Sequence, residues 1–280
     1  MGRVVMVVSD ALRDDVAAAR MGYLEHLVEM RRATRYTMVG ELPSLSRPMY
    51  ETLHTGLPAA VHGITSNQTV RLSESPHIFR LAVEAGMTTA AACYFWYSEL
   101  YNRVPFDRML DREVDDAALW IQHGRFYTED DFPDTEVFQA AGTLTVRWSP
   151  DYLLVHPMGM DFIGEAQGAD SAAYRNHATF QDILLANAIP LWHRAGYTVI
   201  VTGDHGINND RTHGGTTDDV RLVPFYLAPA DGNGAGDTRR RVSQLHVAPT
   251  VCHLLGLKPP EGMTHRALGV GPLEMGEGSG

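Results

Sequence analysis

Asp204 and His205 stand side by side, and a second imidazole, His213, follows in a glycine-flanked loop. Carboxylate oxygen and imidazole nitrogen are the usual ligands of zinc and manganese, so these three residues form a candidate divalent-metal cluster, the alternative being a structural Asp-His-Gly turn. Asp10 and Asp161 each follow a short apolar run, and Glu165 lies close enough to Asp161 to reach the same crevice. Ser46 precedes Pro48, a residue tolerated in the first turn of a helix, which puts the serine at or near a helix N-terminus. There it either caps the helix or, with its pKa lowered by a metal, acts as an alkoxide nucleophile toward an anion held above the helix. Asn67, in the loop that follows, is either turn chemistry or an amide donor to a phosphoryl oxygen.

Three apolar runs deliver these carboxylates. Residues 4–9, 151–156 and 197–202 read as strands buried on both faces, and in an open α/β sheet ligands sit beyond the carboxyl ends of such strands. Between them the chain alternates strand and helix, the pattern of a doubly wound α/β sheet. The stretch to about residue 35 carries Val16, Tyr23, Leu24, Leu27 and Met30 among charges and predicts one amphipathic helix. A helix and an Ala-rich strand are expected across residues 78–94, and helices across 134–148, 171–194 and 246–255. Residues 95–132 mix aromatics and charges with weak periodicity, as a small insertion over a site would. Pro224 cannot donate to a ladder, so residues 222–227 are expected as an outer strand. A single domain is expected over residues 1–270, with a flexible tail at 271–280.

The 280 residues are 44% hydrophobic and 20% charged, the composition of an ordinary globular protein. A formal net charge of −11 argues against nucleic-acid polymers or anionic membranes as partners, but permits a small phosphorylated substrate if metals supply the positive charge. Cys93 and Cys252 lie far apart in apolar runs and are expected as buried thiols. No segment approaches the roughly 20 apolar residues of a membrane span, and Asp10 interrupts the first apolar run too early for a signal peptide, so a cytoplasmic location is expected.

Taken together, SDALRDD, LPSLSRP with TGLPAAVHGITSN, DFIGE, TGDHG with THGG, and HVAPTVCHLLGLKPP resemble the alkaline phosphatase superfamily, in particular its type I phosphodiesterase/nucleotide pyrophosphatase branch. The resemblance covers about residues 3–260. It implies a three-layer α/β sandwich with a mostly parallel central sheet and a two-metal hydrolase of small phosphodiesters or nucleotide pyrophosphates. Asp10, Ser46, Asp204 and His205 would hold one metal, with Ser46 forming a phospho-serine intermediate. Asp161, Glu165 and His213 would hold the other, and Asn67 falls at the phosphate-binding asparagine. Zinc is the first choice, with manganese or magnesium as alternatives. The branch usually has a histidine where this chain has Glu165, a harder ligand that shifts preference toward manganese or magnesium; His156 is the alternative substitute.

Other readings divide on particular residues. The sulfatase and phosphonate monoester hydrolase signature needs an arginine four positions after the nucleophile, where this chain has Tyr50. Residues 95–132 are too few for the second domain of a phosphoglycerate mutase, and no G-x-S-x-G elbow supports a serine esterase. A phosphomonoesterase, for which Arg47 beside the nucleophile would be a candidate extra cation, a phosphonate C–P hydrolase, and a silent phospho-ligand binder remain alternatives.

Overall fold

The computed structural model describes residues 2–269; the tail expected at 271–280 lies outside them. The first half of the chain forms β1 (Arg3–Ser9), α1 (Asp14–Arg20), α2 (Gly22–Glu29), β2 (Thr34–Val39), α3 (Ser46–Thr55), α4 (Ala59–His62), α5 (Ile78–Glu84), β3 (Thr89–Tyr94), α6 (Trp96–Tyr101), β4 (Glu113–Asp115) and β5 (His123–Tyr127). The second half forms α7 (Asp134–Trp148), β6 (Tyr152–Val155), α8 (Gly159–Gln167), α9 (Ala172–Arg194), β7 (Tyr197–Gly203), α10 (Asp218–Arg221), β8 (Leu222–Ala228), β9 (Gly236–Ser243) and α11 (Val247–Leu255).

Among the described residues the strands form one sheet in the order β4-β5-β3-β6-β1-β7-β8-β2-β9. Its centre, β5 through β7, is parallel, and antiparallel pairs occur at β4–β5, β7–β8 and β8–β2. One core cluster fills the space under α1, α2, α7, α8 and α9, and a second the opposite face under α3, α5, α6 and α11. This is the three-layer α/β sandwich that the strand-helix alternation calls for. β1 lies between β6 and β7 in parallel register, with Val7 opposite Val155 and Ser9 opposite Gly203. The carboxyl ends of three buried strands therefore open on one edge, and Asp10, Asp204 and the start of α8 are delivered together. No helix among the described residues is long and apolar enough to cross a membrane. Cys93 and Cys252 are buried free thiols, as expected.

Two expectations of local structure need correction. The single helix expected up to residue 35 is two helices followed by a strand. The break at Met21 is held by Asp182 of α9, whose carboxylate accepts from the backbone N–H of Tyr23 at 2.7 Å and of Leu24 at 3.1 Å. A cap supplied from another helix leaves no mark in local periodicity. The strand with Pro224 is not outer: β8 lies between β7 and β2. Pairing with β7 runs out at Phe225, and Thr202 Oγ1 donates to the Pro224 carbonyl at 2.7 Å, so no donor is needed from position 224 on that side. Residues 95–132 contribute α6 and the β4–β5 edge pair that extends the sheet.

Candidate active site

β1 ends in a tight turn in which Ala11 takes a left-handed backbone, φ 57°. A buried non-glycine residue adopts that conformation only when its surroundings hold it there. The turn aims the Ala11 N–H at Asp204 Oδ1, 3.0 Å away, and so ties the end of β1 to the end of β7. Asp10, Asp204 and His205 are all fully buried. Glycine is required beside them, since a Cβ on Gly206 would stand 2.2 Å from the Asp219 carbonyl oxygen. The Nδ1 of His205 meets the Gly206 carbonyl at 2.9 Å; a carbonyl only accepts, so the proton lies on Nδ1 and the Nε2 lone pair faces the site. That nitrogen is 3.0 Å from Ser46 Oγ, 3.3 Å from Asp204 Oδ2 and 3.5 Å from Asp10 Oδ1.

Asp161 and Glu165 are four residues apart on α8 and so share one helix face. His213 approaches from its loop, where Gly214 takes φ +90°, to 3.8 Å from Asp161 and 3.4 Å from Glu165. Its ring stacks on His205 with centroids 4.2 Å apart, which brings the two clusters into contact. The start of α8 is fixed from below: Asp134 accepts from the Gly159 N–H at 3.2 Å and from Gln181 at 2.7 Å, and Gln181 accepts from Ser9 Oγ at 2.6 Å. This path joins the helix carrying Asp161 to the strand carrying Asp10.

Ser46 opens α3 but does not cap it. Leu45 occupies the cap position without a side-chain acceptor, and the donor that a cap there would satisfy, the Arg47 N–H, goes to Asn67 Oδ1 at 3.0 Å. The serine hydroxyl is released toward His205. Because a backbone N–H needs an acceptor, the oxygen of the Asn67 amide lies at α3 and its NH2 is left as a donor.

The electrostatics are those of a cluster short of positive charge. Burial, then the neighbouring Asp204, raises Asp10 well above the usual carboxylate range; burial and then Asp10 raise Asp161, and burial raises Asp204. Burial lowers His205 well below its ordinary value. Burial opposes charge on His213 too, but the hydrogen bond to Glu165 and the carboxylates of Asp161, Asp10 and Asp204 outweigh it and push the pKa up to about 9. Asp10 Oδ1, Asp161 Oδ1, Asp204 Oδ2 and His213 Nδ1 are buried without a hydrogen-bond partner, a costly arrangement unless a cation completes it. Asp10, Asp204 and His205 each bring a ligand atom within 4.8 Å of the others, as do Asp161, His205 and His213. Carboxylate and imidazole donors at these separations fit divalent metal ions.

The seven expected ligand residues therefore come together around His205, and Asn67 is tied to Arg47 beside Ser46. His156 does not substitute for Glu165: it is fully buried behind Asp10, with Nε2 3.1 Å from Asp10 Oδ2 and Nδ1 3.0 Å from the Tyr127 hydroxyl. Tyr50 donates to the same Asp10 oxygen. These supports went unrecognised in the sequence, although Tyr50 stands one helical turn beyond Ser46, a spacing that places both on one face. Arg47 is no free cation either: it is 1% exposed and pairs with Glu99 at 2.8 Å.

Known proteins resemble the chain in sequence or in fold to different extents. The catalytic subunit of human GPI ethanolamine phosphate transferase 2 is 27% identical over 92% of this chain. The Schizosaccharomyces pombe GPI ethanolamine phosphate transferase 2 is 22% identical over 95% of it. The chain spans only 27% and 38% of the lengths of these two relatives. Murine ectonucleotide pyrophosphatase / phosphodiesterase 5, solved as an inactive variant with AMP, shares the fold with a TM-score of 0.69 at 15% identity, covering 93% of this chain and 96% of that one. Since the type I phosphodiesterase / nucleotide pyrophosphatase family matches residues 4–220, most of the chain's length, the protein belongs to that family.

Proposed function

We propose that this protein is a metal-dependent hydrolase of small phosphoesters, diesters or nucleotide pyrophosphates, that works through Ser46. The observation that carries the reading is the Ser46 hydroxyl, freed from capping and 3.0 Å from the lone pair of His205, the residue common to both ligand groups. Asp10, Ser46, Asp204 and His205 would hold one ion, and Asp161, Glu165 and His213 the other. Divalent ions held there would supply Lewis acidity and lower the pKa of the serine hydroxyl and of water. Ser46 attacks phosphorus, the ester P–O bond breaks and the alcohol or nucleotide leaves; water then cleaves the phospho-Ser46 bond and regenerates the serine. Asn67, with its NH2 as the free donor, holds a phosphoryl oxygen. A net charge of −11 leaves the proposed ions as the main attraction for an anionic substrate.

The likeness to ethanolamine phosphate transferases over 92% of the chain supports a second reading, in which an alcohol rather than water takes the phosphoryl group from Ser46. The test is turnover of bis-p-nitrophenyl phosphate and p-nitrophenyl phosphate with zinc, manganese or magnesium added, for wild type and Ser46→Ala. Diester turnover reduced at least about a thousandfold by Ser46→Ala supports the reading. A monoester preference moves it to a phosphatase, and no turnover with any ion overturns it in favour of a silent binder. Transfer is distinguished by adding ethanolamine or glycerol and measuring how much phosphoryl group reaches the alcohol.

A further inference from the structure

Arg47 follows the proposed nucleophile and is among the largest fully buried side chains of the protein. Its contacts account for that burial. The backbone N–H donates to Asn67 Oδ1 and the side-chain Nε to the Asn67 carbonyl, each at 3.0 Å, so one residue grips Asn67 by both ends of its polar surface. Nη2 donates to Glu99 Oε2 at 2.8 Å, and the guanidinium plane lies 4.5 Å over the Trp96 ring. Glu99 is held in turn by the Phe106 N–H at 3.2 Å. The positive charge is matched by a buried carboxylate, and two of the three guanidinium nitrogens, Nε and Nη2, bond protein groups in two directions, a geometry an ammonium does not reproduce, while Nη1 is buried without a hydrogen-bond partner.

We propose that Arg47 is a positioning residue whose side chain holds the Asn67 backbone so that the amide keeps its oxygen on the Arg47 N–H and its NH2 toward the phosphoryl group, and that Glu99 and Trp96 hold the guanidinium in that task. This rests on the proposed hydrolase reading and names how the same site orients its substrate. Without the Arg47 side chain the Asn67 carbonyl loses its donor, and although Ser73 still bonds Glu51 of α3 farther along the loop, the Asn67 amide is no longer held against the Arg47 N–H and can turn its oxygen toward the anion.

The experiment is a double-mutant cycle on kcat/KM for bis-p-nitrophenyl phosphate with Arg47→Lys and Asn67→Ala. The lysine variant keeps the charge opposite Glu99 and so limits the risk of misfolding, which thermal unfolding checks. Loss of a positioned donor costs about a hundredfold. Arg47→Lys is expected to approach the loss of Asn67→Ala, and the double variant to be no more than about threefold worse than either single one, the non-additivity of residues acting as a unit. Near-wild-type activity of Arg47→Lys would show that charge alone suffices, and multiplicative losses would show that the two residues act separately; either overturns the proposal. A second readout does not depend on turnover: the Asn67 side-chain amide resonance in 15N-labelled protein titrated with inorganic phosphate. It is expected to shift in wild type and not in Arg47→Lys. If wild type turns over no ester but shows this difference, the hydrolase reading falls and the positioning role stands; if the resonance is indifferent to phosphate in wild type, the positioning role falls.

Discussion

The two ligand groups that meet at His205 are built in opposite ways. Asp10, Asp204 and His205 sit on the ends of central strands with no solvent exposure, and buried partners orient each carboxylate: Tyr50 and His156 hold one oxygen of Asp10 and the Ala11 N–H one oxygen of Asp204, leaving the second oxygen of each unpaired. Asp161 and Glu165 ride on a short surface helix, the Glu165 side chain is 54% exposed, and His213 comes from a glycine loop. Packed strand ends fix a ligand to within a rotamer, whereas a helix face and a loop can adjust. The inner group is thus preorganised, and in the outer one Asp161 is buried while Glu165 and the His213 loop are freer to adjust.

The largest effect that would sharpen this contrast comes from one neutralising substitution on each side. Asp204→Asn is expected to abolish binding of one metal equivalent and lower kcat/KM by about a thousandfold, while Glu165→Gln costs about ten- to a hundredfold and is largely recovered by raising the metal concentration. Elemental analysis after dialysis, set beside kinetics, checks both. Equal, unrecoverable losses would break the distinction. Replacement of Glu165 by His extends the comparison, because softening the outer donor set is expected to move ion preference from manganese or magnesium toward zinc.

An intermediate effect is expected from Tyr50→Phe, which keeps the stacked ring, 4.3 Å from Tyr97, and removes only the hydroxyl that orients Asp10. Affinity for the inner ion should fall about tenfold with the outer one unchanged. Chelator titration followed by metal analysis measures this, and a loss shared by both ions would mean that the groups are one rigid unit.

The smallest effect concerns the scaffold of the inner group. Glu51 lies on α3 next to Tyr50, and burial raises its pKa from 4.5 to about 7, against the hydrogen bond from Ser73. Between those values the unfolded chain has lost the proton that the folded chain keeps, so stability falls as pH rises from about 4.5 to about 7 and levels off above that. The gap corresponds to roughly 3 kcal/mol at most. Glu51→Gln is expected to flatten this slope in urea unfolding measured across the pH range; an unchanged slope would place its origin elsewhere.

The central strands, the long helix α9 and the positions of the ligand carboxylates were legible in the sequence for a local reason. Continuous apolar runs mark strands buried on both faces, helical character across residues 171–194 marks α9, and a carboxylate just past a buried strand has only one edge of the sheet to occupy. The resemblance across several short motifs supplied the order in which these pieces serve one site. Glu165 was visible as a departure from the expected histidine, and the structure places it at the outer group, within reach of His213.

Only the tertiary structure decided the rest. It placed β8 inside the sheet despite Pro224, split the first helix through Asp182 of α9, and moved the capping of α3 from Ser46 to Asn67. It also turned Arg47, readable as a free phosphate-binding cation, into a buried partner of Glu99, and recruited His156 from 146 residues away to orient Asp10. Each depends on a polar group finding its partner across the fold. Period and propensity report what a segment does with its own neighbours, whereas an unsatisfied donor or carboxylate is settled by whichever distant residue packing brings within hydrogen-bond reach.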